Sequence, residues 1–450
     1  MLRTEVEKSV IEVLVDYRTR LINENDSKRL ESLDIFPVKK VLEHYHAQGK
    51  HFVSKEVLYE LKLIKDYLNE NVSGEGESKN ELIDFLSTLL DKYEGKYNYR
   101  SYIGTHVLEG LMKDNNIGYP AHLEIRISHL LAILCDIIRF ECETLLDEEK
   151  RFRELLIPQQ KRKKRILHSL NSIRIYSSFT TKVRTPDSLE DLLSHWKKES
   201  AVDSPLPTEL GKLTLDFIYT IQNQIPPNVI LALKVSMMPV WTVHDEYVFI
   251  RTLQGFEMLF SIVIKGFLNC QDYIRNGSFS DAEIVMKSLA EVFQGNISII
   301  RILMTMDKEN FSAFRIYTEG ASAIQSEQFK MIELLAAHPK KERLNSPAFQ
   351  AVPRLKHKYN LNEIVNFEDI LKVHLEDEEV KWNEEFKGFL GSMNLFEKSY
   401  LLWKNMHYKI AIKMLGSQRG TGDTLGTPYL KMYVEAPLFP FLQSYEGGIN

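Results

Sequence analysis

The chain is poor in the residues that staple or interrupt a fold. Three cysteines in 450 residues cannot build a disulfide framework, and a chain of this length does not need one. Glycine (21) and proline (15) are sparse, and short alternating runs of strand type are almost absent, which argues against a β-rich fold. Neither sign of charge dominates. The 57 Lys and Arg against 62 Asp and Glu leave a net −5, so there is no electrostatic footprint for nucleic acid. The apolar stretch Leu130–Ile138 is far shorter than a membrane span, and Asp136 interrupts it. The first ten residues are charged and lack an apolar segment, so no signal peptide is expected. What is plentiful is core material: 44% hydrophobic and 10% aromatic residues, enough to exclude disorder. The expectation is a soluble, cytoplasmic, globular protein with material for two or three domains.

Apolar residues recur at i, i+3, i+4 and i+7 over long windows, which predicts an all-α fold. The pattern predicts helices over Val6–Leu21, Lys55–Asn69, Asn80–Tyr93, His122–Asp147 and Lys161–Ser172. The polar run Ser73–Ser78 predicts a loop. Thr180–Pro207, with three prolines and scattered serines, looks like a boundary holding one short helix at Leu189–Lys197. Beyond it the predicted helices lengthen. His244–Arg275 ends at Asn276-Gly277. Ser280-Asp-Ala-Glu283 has the form of a capping box opening a helix to about Met306. Ala323–Ala337 and Asn394–Gly416 follow.

Three local signals have plain readings. The basic run Lys161–Arg165 has the form of a phosphate-binding or targeting patch, but in an acidic chain the simpler reading is the solvated face of a helix. Glu43-His44-Tyr45-His46, with His51 nearby, has metal-ligand residue types without a metal-site spacing, so surface histidines are expected. Cys135 and Cys142, seven apart on one helix face, fit core packing.

Four segments of the C-terminal half carry more chemistry. His244–Phe260 places Phe249 and Leu253 one turn apart. In the second segment, Asn310–Lys330, Phe311, Phe314 and Arg315 fall at i, i+3 and i+4 on one face. Two aromatic planes beside a guanidinium can hold an aromatic amino acid, the guanidinium gripping the carboxylate bidentately. An arginine in an ordinary ion pair beside two core phenylalanines is the other reading. The third segment, Leu402–Gly416, sets His407 four residues after Trp403 and just before Ile410 and Ala411. That histidine is either a hydrogen-bonded core residue or an axial haem ligand between apolar walls. The fourth, Gly420-Thr421-Gly422-Asp423-Thr424-Leu425-Gly426, is expected to be a mobile backbone loop; it lacks the lysine of a P-loop and reads either as a helix exit or as a loop closing over substrate.

Together the four segments resemble the tryptophan 2,3-dioxygenase family of haem-dependent aromatic oxygenases. The family pattern runs His-Asp-Glu-x-x-Phe, then Phe-Arg-x-Tyr with Ala-Ser-x-x-Gln-Ser-x-Gln-Phe-Arg/Lys, then Trp-x-x-x-His before Met-Leu-Gly, then Gly-Thr-Gly-x-x-x-Gly. All four occur in order across about Trp241–Tyr433. The resemblance implies an all-α haem-binding bundle with an additional N-terminal helical region: an oxygenase domain at 208–450 and a separate region at 1–200. It implies haem b with iron on His407, flanked by Trp403 and Ala323. It implies an amino-acid carboxylate on Arg315, aromatic walls from Phe249 and Phe311, and Thr421, Ser322 and Asp423 near the substrate. The implied reaction inserts oxygen from O2 into the indole ring of tryptophan or a derivative, giving an N-formylkynurenine-type product. The alternatives are a monooxygenase acting on an indole or tyrosine-type ring, or a non-catalytic haem or amino-acid binder. A homo-oligomer, dimer or tetramer, is expected. No Cys-x-x-Cys-His run exists for covalent haem attachment.

The sequence departs from the family at three points. Leu253 stands where the family has a distal histidine, so no side chain there can hydrogen-bond an indole nitrogen. The loop reads Gly-Asp-Thr-Leu-Gly where the family has Gly-Gly-Ser-Ser-Gly. Ala323-Ile324 replaces Gly-Phe and adds a methyl group close to haem and oxygen. These suggest a substrate other than plain tryptophan, or single-atom insertion.

The family's lid, Tyr-x-x-Tyr-Leu donated by a neighbouring subunit, is missing immediately before His244. Tyr99-Arg-Ser-Tyr102-Ile103 lies much earlier, followed by a segment at His122–His129 loosely like the His-Asp-Glu helix. The first 200 residues are therefore either an unrelated helical region or a decayed second copy that supplies lid residues within the same chain.

Overall fold

The structure, a computed structural model, describes residues 2–23, 32–71, 77–112, 117–147, 157–375, 383–416, 418, 420 and 426–443. Among the described residues there are helices and no β-strand. The helices that frame the site are α1 (Leu2–Asn23), α2 (Lys55–Asn71), α3 (Glu77–Leu90), α4 (Ala121–Leu146), α5 (Gln159–Tyr176), α6 (Leu189–Glu199), α7 (His244–Arg275), α8 (Phe279–Gln294), α9 (Asn296–Leu303), α10 (Lys308–Arg315), α11 (Glu327–Ala336) and α12 (Glu384–Leu415).

Helix α7 is the axis. Every residue from Ile250 to Phe260 is buried, so its middle turns are covered on every side. Helices α4, α8, α9, α11 and part of α10 pack around it. It is also long and apolar enough to cross a membrane, but 78% of that apolar window is buried inside the protein, as in a core helix. Helix α12 lies along α8 and presents Phe386, Phe389, Met393, Phe396, Tyr400 and Trp403 to the core. That spacing of three and four residues keeps one stripe facing inward. Asn383 caps α12, its side chain accepting from the amides of Glu385 (2.8 Å) and Phe386. One continuous apolar core extends from Val10 on α1 to Leu442.

Several expectations need correction. The predicted helix to Met306 is two helices, α8 and α9, separated at Gly295. Ser280 does not cap α8, which starts at Phe279 after Ser278 without a side-chain cap; Glu283 instead reaches forward to Lys287 (2.5 Å). Ala323–Ala337 is broken too. Ala323–Gln325 is a 3₁₀ turn capped by Ser322, and Ser326 then caps α11 through the Phe329 amide. Helix α12 begins ten residues before the predicted start. The loop at Ser73–Ser78 falls largely on residues 72–76, outside the described residues, while Glu77 and Ser78 open α3.

The basic run on α5 is not a solvated face. Arg162, Lys163 and Arg165 are at most 1% exposed. Each has an acid to meet: Arg162 pairs with Glu141 (3.1 Å), Lys163 with Glu199, and Arg165 with Glu141 (2.9 Å) and Asp245. His44 is not on the surface either; it is buried, and burial lowers its pKa. His46 donates to the Met237 carbonyl (2.7 Å). Cys135 and Cys142 are free thiols in the core.

Candidate functional site

Helices α7, α10, α11 and α12 enclose a cavity of about 690 Å³. It is roomy enough for a ligand larger than one amino acid. The sequence-predicted residues Phe249, Leu253, Phe311, Arg315, Ser322, Ala323, Trp403 and His407 all line it. Thr421 and Asp423 lie outside the described residues; Gly420 and Gly426, at the two ends of their loop, line the cavity.

One wall is aromatic. Phe249 of α7 meets Phe311 (5.8 Å between ring centroids) and Phe314 (5.4 Å) of α10, and those two meet edge to face at 5.5 Å. Arg315 ends α10, half-buried, with Nη1 donating to Gln418 at 3.5 Å. Burial lowers its pKa. Its helix is anchored from α7: Asp245 accepts from the Asp307 amide (2.8 Å) and from Asn310 Nδ2 (3.3 Å) at the start of α10.

The facing wall comes from α12. The His407 and Trp403 rings stack at 5.5 Å and 16°, the geometry their spacing of four on one helix favours. Trp403 is in turn boxed by Phe260, Phe293 and Phe329. Burial, with the nearby Lys330 ammonium, pushes the His407 imidazole down to about 4. The ring is thus neutral at physiological pH, with a lone pair free to ligate. Among the described residues none hydrogen-bonds it. The buried indole Nε1 of Trp403 is also without a hydrogen-bond partner among the described residues. A neutral, half-buried imidazole in an apolar, aromatic cavity fits the proximal side of a haem.

Leu253, 9% exposed, keeps the α7 wall of the cavity apolar. One turn further along α7 the same face carries Glu257. Burial pushes its carboxyl up to about 7, offset in part by Ser326 and Tyr99.

Sequence reasoning undervalued Tyr99 and Tyr102. Both line the cavity, although 142 residues separate Tyr102 from His244. Tyr99 donates its hydroxyl to Glu257 (3.0 Å), and its amide to Gln325 Oε1 (2.9 Å), which also accepts from the Ser322 amide. Tyr102 donates to Glu246 (3.2 Å), which accepts from the amides of Val240 and Trp241 as well. Gly104 makes this docking possible. Its φ of +62° and the 2.7–2.9 Å clearance to Ser236 leave no room for a Cβ. Gln254 of α7 ties down the Ile103 carbonyl beside it (2.7 Å). The Tyr-x-x-Tyr-Ile spacing was the available signal. Lys330 was passed over inside the Gln-Phe-Lys motif.

The sequence model of the tryptophan 2,3-dioxygenase family matches residues 230–387. That range contains Phe249, Leu253, Phe311, Arg315, Ser322 and Ala323, and stops before Trp403 and His407. Curated tryptophan 2,3-dioxygenases are similar at low identity. The one from Anaeromyxobacter sp. (strain K) is 24% identical, covering 46% of this chain and 88% of its own length. That of Erythrobacter litoralis is 23% identical over 47% and 92%, and that of Burkholderia multivorans 21% over 44% and 74%. Less than half of this chain thus spans most of each relative. With the helical architecture and the ordered motifs, these matches make this part of the chain similar to the tryptophan 2,3-dioxygenases.

Proposed function

We propose that the protein is a haem-dependent oxygenase of an aromatic amino acid, acting first on the indole ring of tryptophan or a tryptophan derivative. The observation that carries the proposal is the shared cavity: a neutral His407, without a hydrogen-bond partner among the described residues, and the Arg315–phenylalanine wall line the same space. His407 would hold the haem iron, with Trp403 and Ala323 against the macrocycle. The haem, when bound, supplies activation of O2, which no side chain here can do. Arg315 grips the substrate carboxylate, Phe249 and Phe311 flank the ring, and the apolar walls exclude water. Ser322, Thr421 and Asp423 are assigned to the substrate's polar end.

Residues 1–200 and 208–450 are proposed as an N-terminal helical region and the oxygenase region. Tyr99 and Tyr102 give the first a role at the site, as lid residues supplied within the chain. The protein would work in the cytoplasm as a homo-oligomer.

The test is spectroscopic. The purified protein, reconstituted with haemin, should show a Soret band that tryptophan shifts, and His407→Ala should lose the native ligation. A wild-type protein without a Soret band sinks the haem reading.

A second reading, single-atom insertion by a monooxygenase, is favoured by Leu253, which removes the distal hydrogen-bonding side chain. Formation of a hydroxylated product rather than a ring-opened one would select it.

A further inference from the structure

Charge in the cavity is unbalanced. Arg315, Lys330, Lys340, Arg343 and Lys404 line it against Glu333 and Glu342, in a chain of net charge −5. Lys330 stands apart among these cations. It is 3% exposed on α11 and faces the cavity. Its ammonium makes no hydrogen bond or ion pair with a described residue; what it touches is the Phe329 ring, 4.8 Å from Nζ to centroid.

The two acids near enough to act on it are taken. Glu333 is held bidentately by Arg343, at 2.6 and 3.0 Å. Glu257 accepts from the Tyr99 hydroxyl at 3.0 Å and also bonds Ser326. Lys404, by contrast, has the Ala436 carbonyl at 2.7 Å. Burial pushes the Lys330 ammonium down to about 8, with Glu333 and Glu257 opposing and Arg343 adding to the shift, so it remains charged at neutral pH. A buried cation without a counter-ion is destabilising unless a ligand completes it.

We propose that Lys330 is a carboxylate-binding residue of the cavity, its ammonium completed by a carboxylate of the ligand that fills the space beside His407. The identity of that ligand rests on the haem-oxygenase reading: the carboxylate is a haem propionate or that of the amino-acid substrate. The cavity already offers Arg315 to the substrate. A dicarboxylate macrocycle brings two further anions, which matches the surplus of cations.

The experiment compares wild type, Lys330→Met and Lys330→Arg. Haemin and haemin dimethyl ester are titrated by absorbance, and L-tryptophan and tryptamine by calorimetry. If Lys330 meets a propionate, Lys330→Met weakens haemin about ten- to a hundredfold, the range of a charge-assisted hydrogen bond. It leaves the dimethyl ester unchanged, and Lys330→Arg restores haemin. If Lys330 meets the amino acid, haemin is unaffected and the preference for tryptophan over tryptamine falls by that factor. Either result supports the proposal. Should wild type bind no haemin, the haem reading fails alone, and the tryptophan–tryptamine comparison decides on Lys330. A further readout separates a binding role from a merely structural one. Lys330→Met should raise the melting temperature of the ligand-free protein, because it removes an unpaired buried charge. Unchanged affinities for all four probes, or a melting temperature that falls with affinities intact, overturn the proposal.

Discussion

Two charged regions of the interior treat their charge in opposite ways. At the junction of α4, α5 and α7 the buried carboxylates Glu141 and Asp136 are both answered. Glu141 receives Arg162, Arg165 and His244 (2.9 Å). Asp136 receives Arg251 (2.6 Å), Arg139 (2.7 Å) and the Tyr247 hydroxyl (2.6 Å). Burial alone would raise the Glu141 carboxyl, but His244, Arg165 and Arg162 hold it well below the usual carboxylate range. In the cavity, Lys330 faces open space and His407 is neutral, neither hydrogen-bonded to a described residue. The lesson concerns roles. A saturated network fixes how helices sit against each other, whereas unanswered groups around a void await something from outside. The His-Asp-Glu motif belongs to the first kind. His244, Asp245 and Glu246 reach Glu141, Arg165 and Tyr102, so the motif clamps α7 onto the first half of the chain.

The largest expected effect comes from breaking the saturated side. Arg165→Met strips a partner from both Glu141 and Asp245, and should cost about 3–5 kcal/mol in denaturant unfolding. Lys330→Met should move stability the other way. Equal signs for the two substitutions would erase the contrast.

Next is a pH effect. Glu257 ionises at about 7 in the folded protein against an ordinary 4.5. Between those values the folded state binds more protons than the unfolded chain, so this group's contribution to stability falls as pH rises from 4.5 to 7. It is fully present below that window and lost above it, on the order of 3 kcal/mol in all. His407, lowered to about 4, acts in the opposite sense between 4 and 6.5. The measurable quantity is therefore the difference between wild type and Glu257→Gln, which should gain stability relative to wild type as pH rises through that window. Parallel profiles would refute the raised carboxyl.

Arg315→Leu should weaken tryptophan about ten- to a hundredfold and tryptamine hardly at all. Equal losses would assign Arg315 to structure rather than to carboxylate recognition. Tyr102→Phe has the smallest effect, about 1 kcal/mol or less, because two backbone amides still hold Glu246.

Much of the fold was legible because helical periodicity is local. The bounds of α7 were read as observed, and those of α4 within a residue at either end. The misreadings occur where a competing interaction intervenes. The helical periodicity carries on either side of Gln294-Gly295-Asn296, which hid the break there, and Glu283 found Lys287 in place of a cap. The basic run on α5 looked solvated because its acids, Glu141 and Asp245, are 21 to 80 residues away in sequence. The site divides in the same way. Phe311, Phe314 and Arg315 share a face by spacing alone, whereas the meeting of Tyr99 with Glu257, 158 residues apart, has no local signature beyond Tyr-x-x-Tyr.

The sequence by itself determined that this chain is helical, which stripe of each helix is apolar, and that aromatic, guanidinium and imidazole groups recur in a family order. Those properties follow from backbone geometry and composition over a few turns. Tertiary structure alone decided which charges are answered and which are left facing a void. Pairing depends on distance in space, and burial sets its strength: the same Lys or Arg is a strut beside a buried carboxylate and a ligand-seeking cation beside an empty cavity.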